Sequence, residues 1–172
     1  TGTNYGVELT LEKFFNKGYY GLLPTSVYDS KYKGSDGVER ATAFNNSYVI
    51  NMLAGKEWNI GKDGRHAITV DTKVTNAGGR RYTPVDLEAS SIAGGQVNQE
   101  ELAFSESFDP YFRWDLKFGV TFNSRQRKLS QRFYLDFQNL TNQENVFTRR
   151  YNRQTNEVNE VYQRGFLPDF LY

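Results

Sequence analysis

The chain has 172 residues, no cysteine, one histidine, and 21 lysines and arginines against 20 aspartates and glutamates, for a net charge of +1. This composition excludes disulfides, cysteine metal sites and a thiol nucleophile, and leaves no long-range field to gather nucleic acid. The aromatic content, 13 Phe, 12 Tyr and 2 Trp, sits in a chain of mean hydropathy −0.69; strands alternating apolar with polar residues reconcile the two, as the strands of a membrane-spanning barrel do.

No run of about 18 apolar residues occurs, which excludes a transmembrane helix and leaves transmembrane strands open. The chain opens Thr1-Gly2-Thr3-Asn4, with no initiator Met, basic n-region or apolar h-region, so a processed or partial chain is expected. Its first strand sets Tyr5, Val7, Leu9 and Leu11 against Glu8, Thr10 and Glu12, and a short turn follows at residues 16–18. Residues 19–32 form a second strand with apolar residues on both faces and Pro24 inside. Proline removes a ladder donor, so this segment predicts an edge, a bulge or a break. After a long connection at residues 33–46, Tyr48, Ile50, Met52 and Ala54 alternate with Ser47, Asn51 and Gly55. A short turn at 59–64 leads to residues 66–76, where Ile68, Val70 and Val74 oppose Thr69, Asp71, Lys73 and Thr75.

The connection at residues 84–110 is the longest, and is long enough to be either a functional loop or a disordered excursion. The clearest strand comes next, at residues 111–122. Phe112, Trp114, Leu116, Phe118, Val120 and Phe122 alternate strictly with Tyr111, Arg113, Asp115, Lys117, Gly119 and Thr121. It would extend roughly 40 Å, enough for a tilted membrane crossing. A polar turn, Asn123-Ser124-Arg125-Gln126-Arg127-Lys128, joins it to residues 131–139, where Phe133, Leu135 and Phe137 oppose Arg132, Tyr134, Asp136 and Gln138. Two alternating runs joined so closely form an antiparallel hairpin.

A long connection at 141–160 and a last strand at 165–172 complete seven strands whose connections alternate short and long. Transmembrane barrels have tight turns on one side and long loops on the other, so the pattern predicts an all-β, antiparallel up-and-down meander. Seven strands leave two long edges, and a further strand before Thr1 is expected.

The run Phe133-Tyr134-Leu135-Asp136-Phe137-Gln138-Asn139-Leu140-Thr141-Asn142-Gln143-Glu144-Asn145 resembles the segment near the C-terminus of TonB-dependent outer-membrane receptors, whose alternating strand ends in an Asn-Leu-Phe-Asn-like bend. Thr141 stands where Phe is commoner. Arg113-Trp114-Asp115-Leu116-Lys117-Phe118-Gly119 and Asn4-Tyr5-Gly6-Val7-Glu8-Leu9-Thr10-Leu11-Glu12-Lys13 resemble other strands of those receptors. The resemblance covers most of the chain. It implies that residues 1–172 are the C-terminal segment, about the last seven strands, of a barrel of about 22 strands around a plug. The plug and the earlier strands would be absent, and Phe170-Leu171-Tyr172 would be a final strand cut short of its terminal aromatic signal.

The resemblance further implies residence in the bacterial outer membrane, contact with its lipid, coupling to the TonB complex through the missing plug region, and uptake of a scarce solute such as an iron chelate, cobalamin or a glycan. Alternation assigns Phe112, Trp114, Leu116, Phe118, Val120, Phe122, Phe133, Leu135 and Phe137 to lipid, and Arg113, Asp115, Lys117, Arg132 and Asp136 to the lumen and plug. Arg80, Arg81 and Tyr82 in the longest loop, and Arg149, Arg150, Tyr151 and Arg153 in the last, are the ligand-facing candidates. The second group either binds an anionic ligand or forms a solvated charge run.

His66 stands alone beside a turn and reads as structural, and Gly78-Gly79 and Gly94-Gly95 read as loop residues, not a phosphate cradle. No activated nucleophile with a positioned base is visible, so no enzyme, metal or cofactor is expected. The competing reading is a soluble or small closed β-barrel acting in binding or adhesion.

Overall fold

The computed structural model describes residues 1–126 and 128–172; Arg127, part of the predicted turn, lies outside them. In chain order, β1 (Gly2–Asn16) and β2 (Tyr19–Lys33) form a hairpin, and a short β3 (Glu39–Ala41) adds to the far end of β2. β4 (Tyr48–Ile60) and β5 (His66–Ala77) follow, then β6 (Arg81–Tyr82), the helix α1 (Leu87–Ala93) and β7 (Glu106–Ser107). β8 (Tyr111–Asn123), β9 (Ser130–Gln138), a hairpin of β10 (Val146–Asn152) with β11 (Glu157–Tyr162), and β12 (Leu167–Leu171) complete the chain. The main sheet runs β1-β2-β4-β5-β8-β9-β12. Every neighbouring pair on that path is antiparallel, which is the seven-stranded meander expected from the alternation. The sheet is open: among the described residues β1 and β12 are its two edges and do not pair with each other.

Pro24 corrects one expectation. β2 is neither an edge nor broken; it lies between β1 and β4, and Pro24 pairs with Thr10. The register against β4 is the same on either side, Leu22 with Leu53 and Thr25 with Ile50, so there is no bulge. Pairing toward β4 is interrupted only opposite Leu23 and Pro24. A ring that already has a strand-like φ costs the ladder one donor and leaves the strand's path unchanged.

Cross-strand register lines up rows of like character. Ala54, Thr72, Leu116, Phe137 and Pro168 face one side in one row, and Lys56, Val70, Phe118, Leu135 and Phe170 in the next. The intervening row, Gly55, Asp71, Lys117, Asp136 and Asp169, faces the other side. The nine residues predicted to face outward therefore share one face, with aromatic pairs such as Phe118–Phe137 at 6.1 Å and Phe122–Phe133 at 6.2 Å across neighbouring strands. On this face the Trp114 indole donates to Thr72 Oγ1 at 2.8 Å. On the polar face, Tyr20 and Tyr134 lie across Gly55 and Gly119, where any side chain would collide with their rings.

Among the described residues nothing covers either face. Among the described residues the only buried apolar side chains are Ala67 and Ala77, while Trp114, Phe118, Phe122 and Leu135 are exposed, the last at 50%. β1 is exposed along its whole length, with Val7 at 77%. Among the described residues no helix is long and apolar enough to cross a membrane, which does not bear on crossing by strands.

The connections gather at opposite ends. Short turns join β1 to β2, β4 to β5 and β8 to β9; the first is a two-residue turn with Lys17 at φ 53° and Gly18 at φ 79°, the left-handed pair that suits a hairpin's twist. The long connections, with β3, β6, β7, α1, β10 and β11, form a layer at the other end.

Candidate functional site

Three buried or tightly fitted features hold the loop layer on the sheet. Asn145 is 6% exposed; its side chain accepts from the Phe112 N–H at 3.0 Å and donates to the Phe112 carbonyl at 2.8 Å, standing in for a neighbouring strand at the end of β8. Asn139, at φ 50°, ends β9. Its side chain accepts from Gln143 N and donates to Gln143 O, each at 3.0 Å, and its N–H donates to Asp115 Oδ1 at 2.9 Å. Asn142 then accepts from the Phe166 N–H at 2.9 Å, tying the bend to the approach of β12. This is the Asn139-Leu140-Thr141-Asn142 bend singled out in the sequence. Gly78 and Gly79 are crossing points: side chains there would strike the Asn46 and Phe108 carbonyls.

α1 begins at Asp86, whose carboxylate accepts from Ala89 N at 2.9 Å, and stops at Gly94, which takes the left-handed conformation with φ 65°. The longest connection is thus folded by ordinary capping, with Ser90 fully buried where its hydroxyl meets Val97.

These supports bring two arginines and three aromatic rings together from distant loops. Tyr82 stacks on Phe108 with centroids 4.5 Å apart. The Arg149 guanidinium lies 4.7 Å from the Tyr82 ring and 5.9 Å from Phe108; Arg80 lies 5.9 Å from Phe108 and 5.8 Å from Phe147. Arg149 donates to Glu160 Oε1 from Nε at 3.0 Å and Nη2 at 2.7 Å, and from Nη1 to the Tyr82 hydroxyl. Hydrogen bonds from Arg149 and then from Tyr162 hold the Glu160 carboxyl below the usual carboxylate range, and the Tyr162 phenol bonded to Glu160 is raised in return.

Arg80 differs. It donates to the Phe147 carbonyl, and among the described residues no carboxylate pairs with it. Cavities of about 600 and about 490 Å³ open on this group, and Arg80, Phe108 and Phe147 line both. An uncompensated guanidinium among aromatic faces can take an anionic or acceptor-rich solute by charge-assisted hydrogen bonds and stacking.

Of the seven predicted ligand-facing residues, Arg80, Tyr82 and Arg149 converge. Arg81 donates to the Ser105 carbonyl at 3.1 Å and also lines the cavity of about 490 Å³. Arg150 is exposed, because neighbouring strand residues alternate and Arg149 holds the inner side. Tyr151 donates its N–H to Gln96 Oε1 at 3.2 Å and its hydroxyl to Asn156 at 2.8 Å, and the Arg153 guanidinium lies beside Gly94 at the end of α1. The charge run therefore splits. Phe108, Phe147 and Glu160 had no sequence signal, since nothing in an irregular loop announces which distant side chain it meets.

The polar face gathers a second set. Arg113 donates to Asp115 Oδ1 at 2.7 Å and to Gln138 Oε1 at 3.0 Å, Tyr20 donates to Asp71, and Lys117 pairs in register with Asp71 on one side and Asp136 on the other. Arg113, Asp115, Lys117 and Asp136 line a shared cavity of about 320 Å³; Arg132 is exposed nearer the short turns. Arg113 and Asp115 satisfy each other, whereas Lys117 lies 5.6 Å from the centre of the Tyr134 ring and, among the described residues, no carboxylate lies within ion-pair distance of it. His66 starts β5, accepts from Asn123 N at 3.2 Å and packs edge-on against Phe122 at 5.6 Å. No group of three or more metal-ligating side chains occurs among the described residues. No protein-family model, curated protein or solved structure matches the chain.

Proposed function

We propose that this chain is part of a transmembrane β-barrel receptor of the outer-membrane, TonB-dependent kind, in which the strands cross the lipid and the long-loop layer meets a scarce solute before import. One observation carries the reading: a single antiparallel sheet, five of whose seven strands run 12 to 15 residues, with an exposed apolar face and only two buried apolar side chains among the described residues. In water such a sheet lacks the burial that offsets chain entropy. In lipid, the apolar face needs no protein partner. From Phe112 to Phe122 the apolar band of β8 runs about 33 Å, which at a tilt of about 40° covers about 25 Å of bilayer, the height of such a band.

The unpaired edges of β1 and β12 call for further strands, in line with the larger barrel of about 22 strands that the resemblance implies. The polar face, where Arg113, Asp115, Lys117 and Asp136 line one cavity, would then line the lumen and meet the plug. Solute recognition falls to Arg80, with Arg149, Tyr82, Phe108 and Phe147 around it. An iron chelate, cobalamin or glycan belongs to the range such receptors carry, and the unpaired guanidinium favours an anionic member. No catalytic step is assigned to the chain.

The test is fractionation of the cells that make this protein, followed by gel mobility with and without heating. Outer-membrane residence with a heat-modifiable shift supports the receptor reading. A soluble protein with no shift overturns it in favour of a soluble β-sheet binding or adhesion module.

A further inference from the structure

Cations are few on the apolar face, and their placement differs between its ends. Pairing sets Lys13 opposite Gly21, and Lys56 opposite Tyr19 and Val70, so both point to the side that carries Leu116 and Phe118. Both lie close to the Lys17–Gly18 turn. The Lys56 ammonium donates to the Lys17 carbonyl at 2.9 Å, and lies 3.5 Å from the centre of the Tyr19 ring and 5.8 Å from Trp58. It rests so near Gly18 that a Cβ there would stand 3.2 Å from Nζ. The lysine stem thus runs along apolar surface while its charge reaches the level of a backbone turn, which is how a lysine in a spanning strand avoids the bilayer centre.

The charge delivered there is unbalanced. Among the described residues no carboxylate lies within ion-pair distance of Lys13, Lys17 or Lys56. The nearest acids in sequence alternate away: Glu12 pairs with Leu22, and Glu57 with Thr69, on the polar face. At the opposite end of the same face the arrangement is reversed, since Lys31 is neutralised by Asp29 at 3.0 Å and Glu39 at 3.9 Å.

We propose that Lys13, Lys17 and Lys56, framed by the exposed rings of Tyr19 and Trp58, bind the phosphate of an anionic phospholipid in the leaflet at the short-turn end. The proposal rests on the membrane reading. An ammonium has three donors, and Lys56 spends one on the Lys17 carbonyl, leaving donors for a phosphate oxygen. The acyl chains would lie along Ile68 and Phe118, a contact that free phosphate cannot make. The two rings are amphipathic or broad and apolar, as headgroup-level side chains are.

Native mass spectrometry tests this on the protein released from its own membrane, and on the same protein reconstituted in phosphatidylethanolamine bilayers with and without phosphatidylglycerol. The expected result is phosphatidylglycerol retained well above its share of the bilayer, with about a fivefold loss in Lys56→Gln. Lys56→Arg should keep the adduct, and Lys31→Gln, which removes the same charge at the other end, should leave it unchanged. Heat-modifiable mobility of each variant establishes that it is folded. Adducts that mirror the bilayer, or that ignore Lys56→Gln, overturn the proposal while leaving the barrel intact. Adducts of bare phosphate overturn the lipid assignment. A protein that enters no membrane overturns the receptor reading, and the lipid site with it.

Discussion

The two ends of the sheet are built by different means. At the short-turn end each connection is a local turn, and neighbouring turns are then linked by bonds such as Lys56 to the Lys17 carbonyl and Asn123 N to His66 Nδ1: Lys17 and Gly18 turn the first hairpin by left-handed backbone, Gly64 N donates to Gly61 O at 3.2 Å in the second, and Ser124 N to Leu129 O at 2.9 Å in the third. At the long-loop end the deciding contacts join residues far apart in sequence, Asn145 with Phe112, Arg149 with Tyr82, and Arg80 with Phe147. A turn of the first kind forms as its hairpin forms. A layer of the second kind exists only after several strands have placed three loops side by side, so its side chains can change without altering the sheet below.

The comparison breaks if damage to the strands spares the loop layer, or if damage to the loop layer collapses the strands. The largest effect is expected from Leu116→Arg, which puts a guanidinium in the middle of the apolar face at a cost of about 2–4 kcal/mol in lipid. Membrane assembly and heat-modifiable mobility should both be lost, whereas Lys117→Ser on the opposite face should be tolerated. Equal outcomes at the two positions would end the facing assignment.

Next comes Asn145→Ala, which leaves the Phe112 N–H and carbonyl without their partner and should weaken the attachment of the β10–β11 hairpin by about 1–3 kcal/mol. Limited proteolysis should then cut within residues 146–162 while the mobility shift survives. Loss of the shift as well would show that the loop layer supports the sheet. Arg80→Gln is expected to weaken solute binding by about tenfold with the shift unchanged, read by titration once a transported solute is in hand. Unaltered binding would move recognition away from this group.

The smallest effect concerns acid. Because Arg149 holds the Glu160 carboxyl low, the pair's contribution is complete above the ordinary glutamate range and fades as pH falls through the lowered value. Protection of the β10 and β11 amides, taken relative to the intrinsic exchange rate at each pH, should therefore fall on acidification below that range and stay flat from there to neutrality. A loss of protection near neutral pH would point to some other group.

How far the sequence carried can be judged from particular residues. Phe112 to Phe122 and Phe133 to Phe137 assign themselves, because a strand's two-residue period fixes which side chains share a face whatever lies around them. The Asn139-Leu140-Thr141-Asn142 bend was expected from the resemblance alone, and the structure supplies its physical reason, since Asn139 and Asn142 take the left-handed backbone that asparagine tolerates. Pro24 misled, because its cost is local to one donor while the flanking pairs on both sides hold the strand straight.

The candidate site was legible only in fragments. Arg80, Tyr82 and Arg149 stood out by residue type, but Arg150 and Arg153 stood out equally, and the sequence held no means of separating them. Alternation along β10 and the crossing of the loops at Gly79 separate them in three dimensions.

The sequence by itself determined the seven strands of the main sheet, their order and their two faces, because those follow from periodicity and from connection length; β3, β7, α1 and the β10–β11 hairpin lie in segments it read only as long connections. Only the tertiary structure decided which arginine stayed unpaired, which rings surround it, and where Lys56 carries its charge. Those outcomes depend on atoms brought together from segments up to 67 residues apart, for which no local pattern exists.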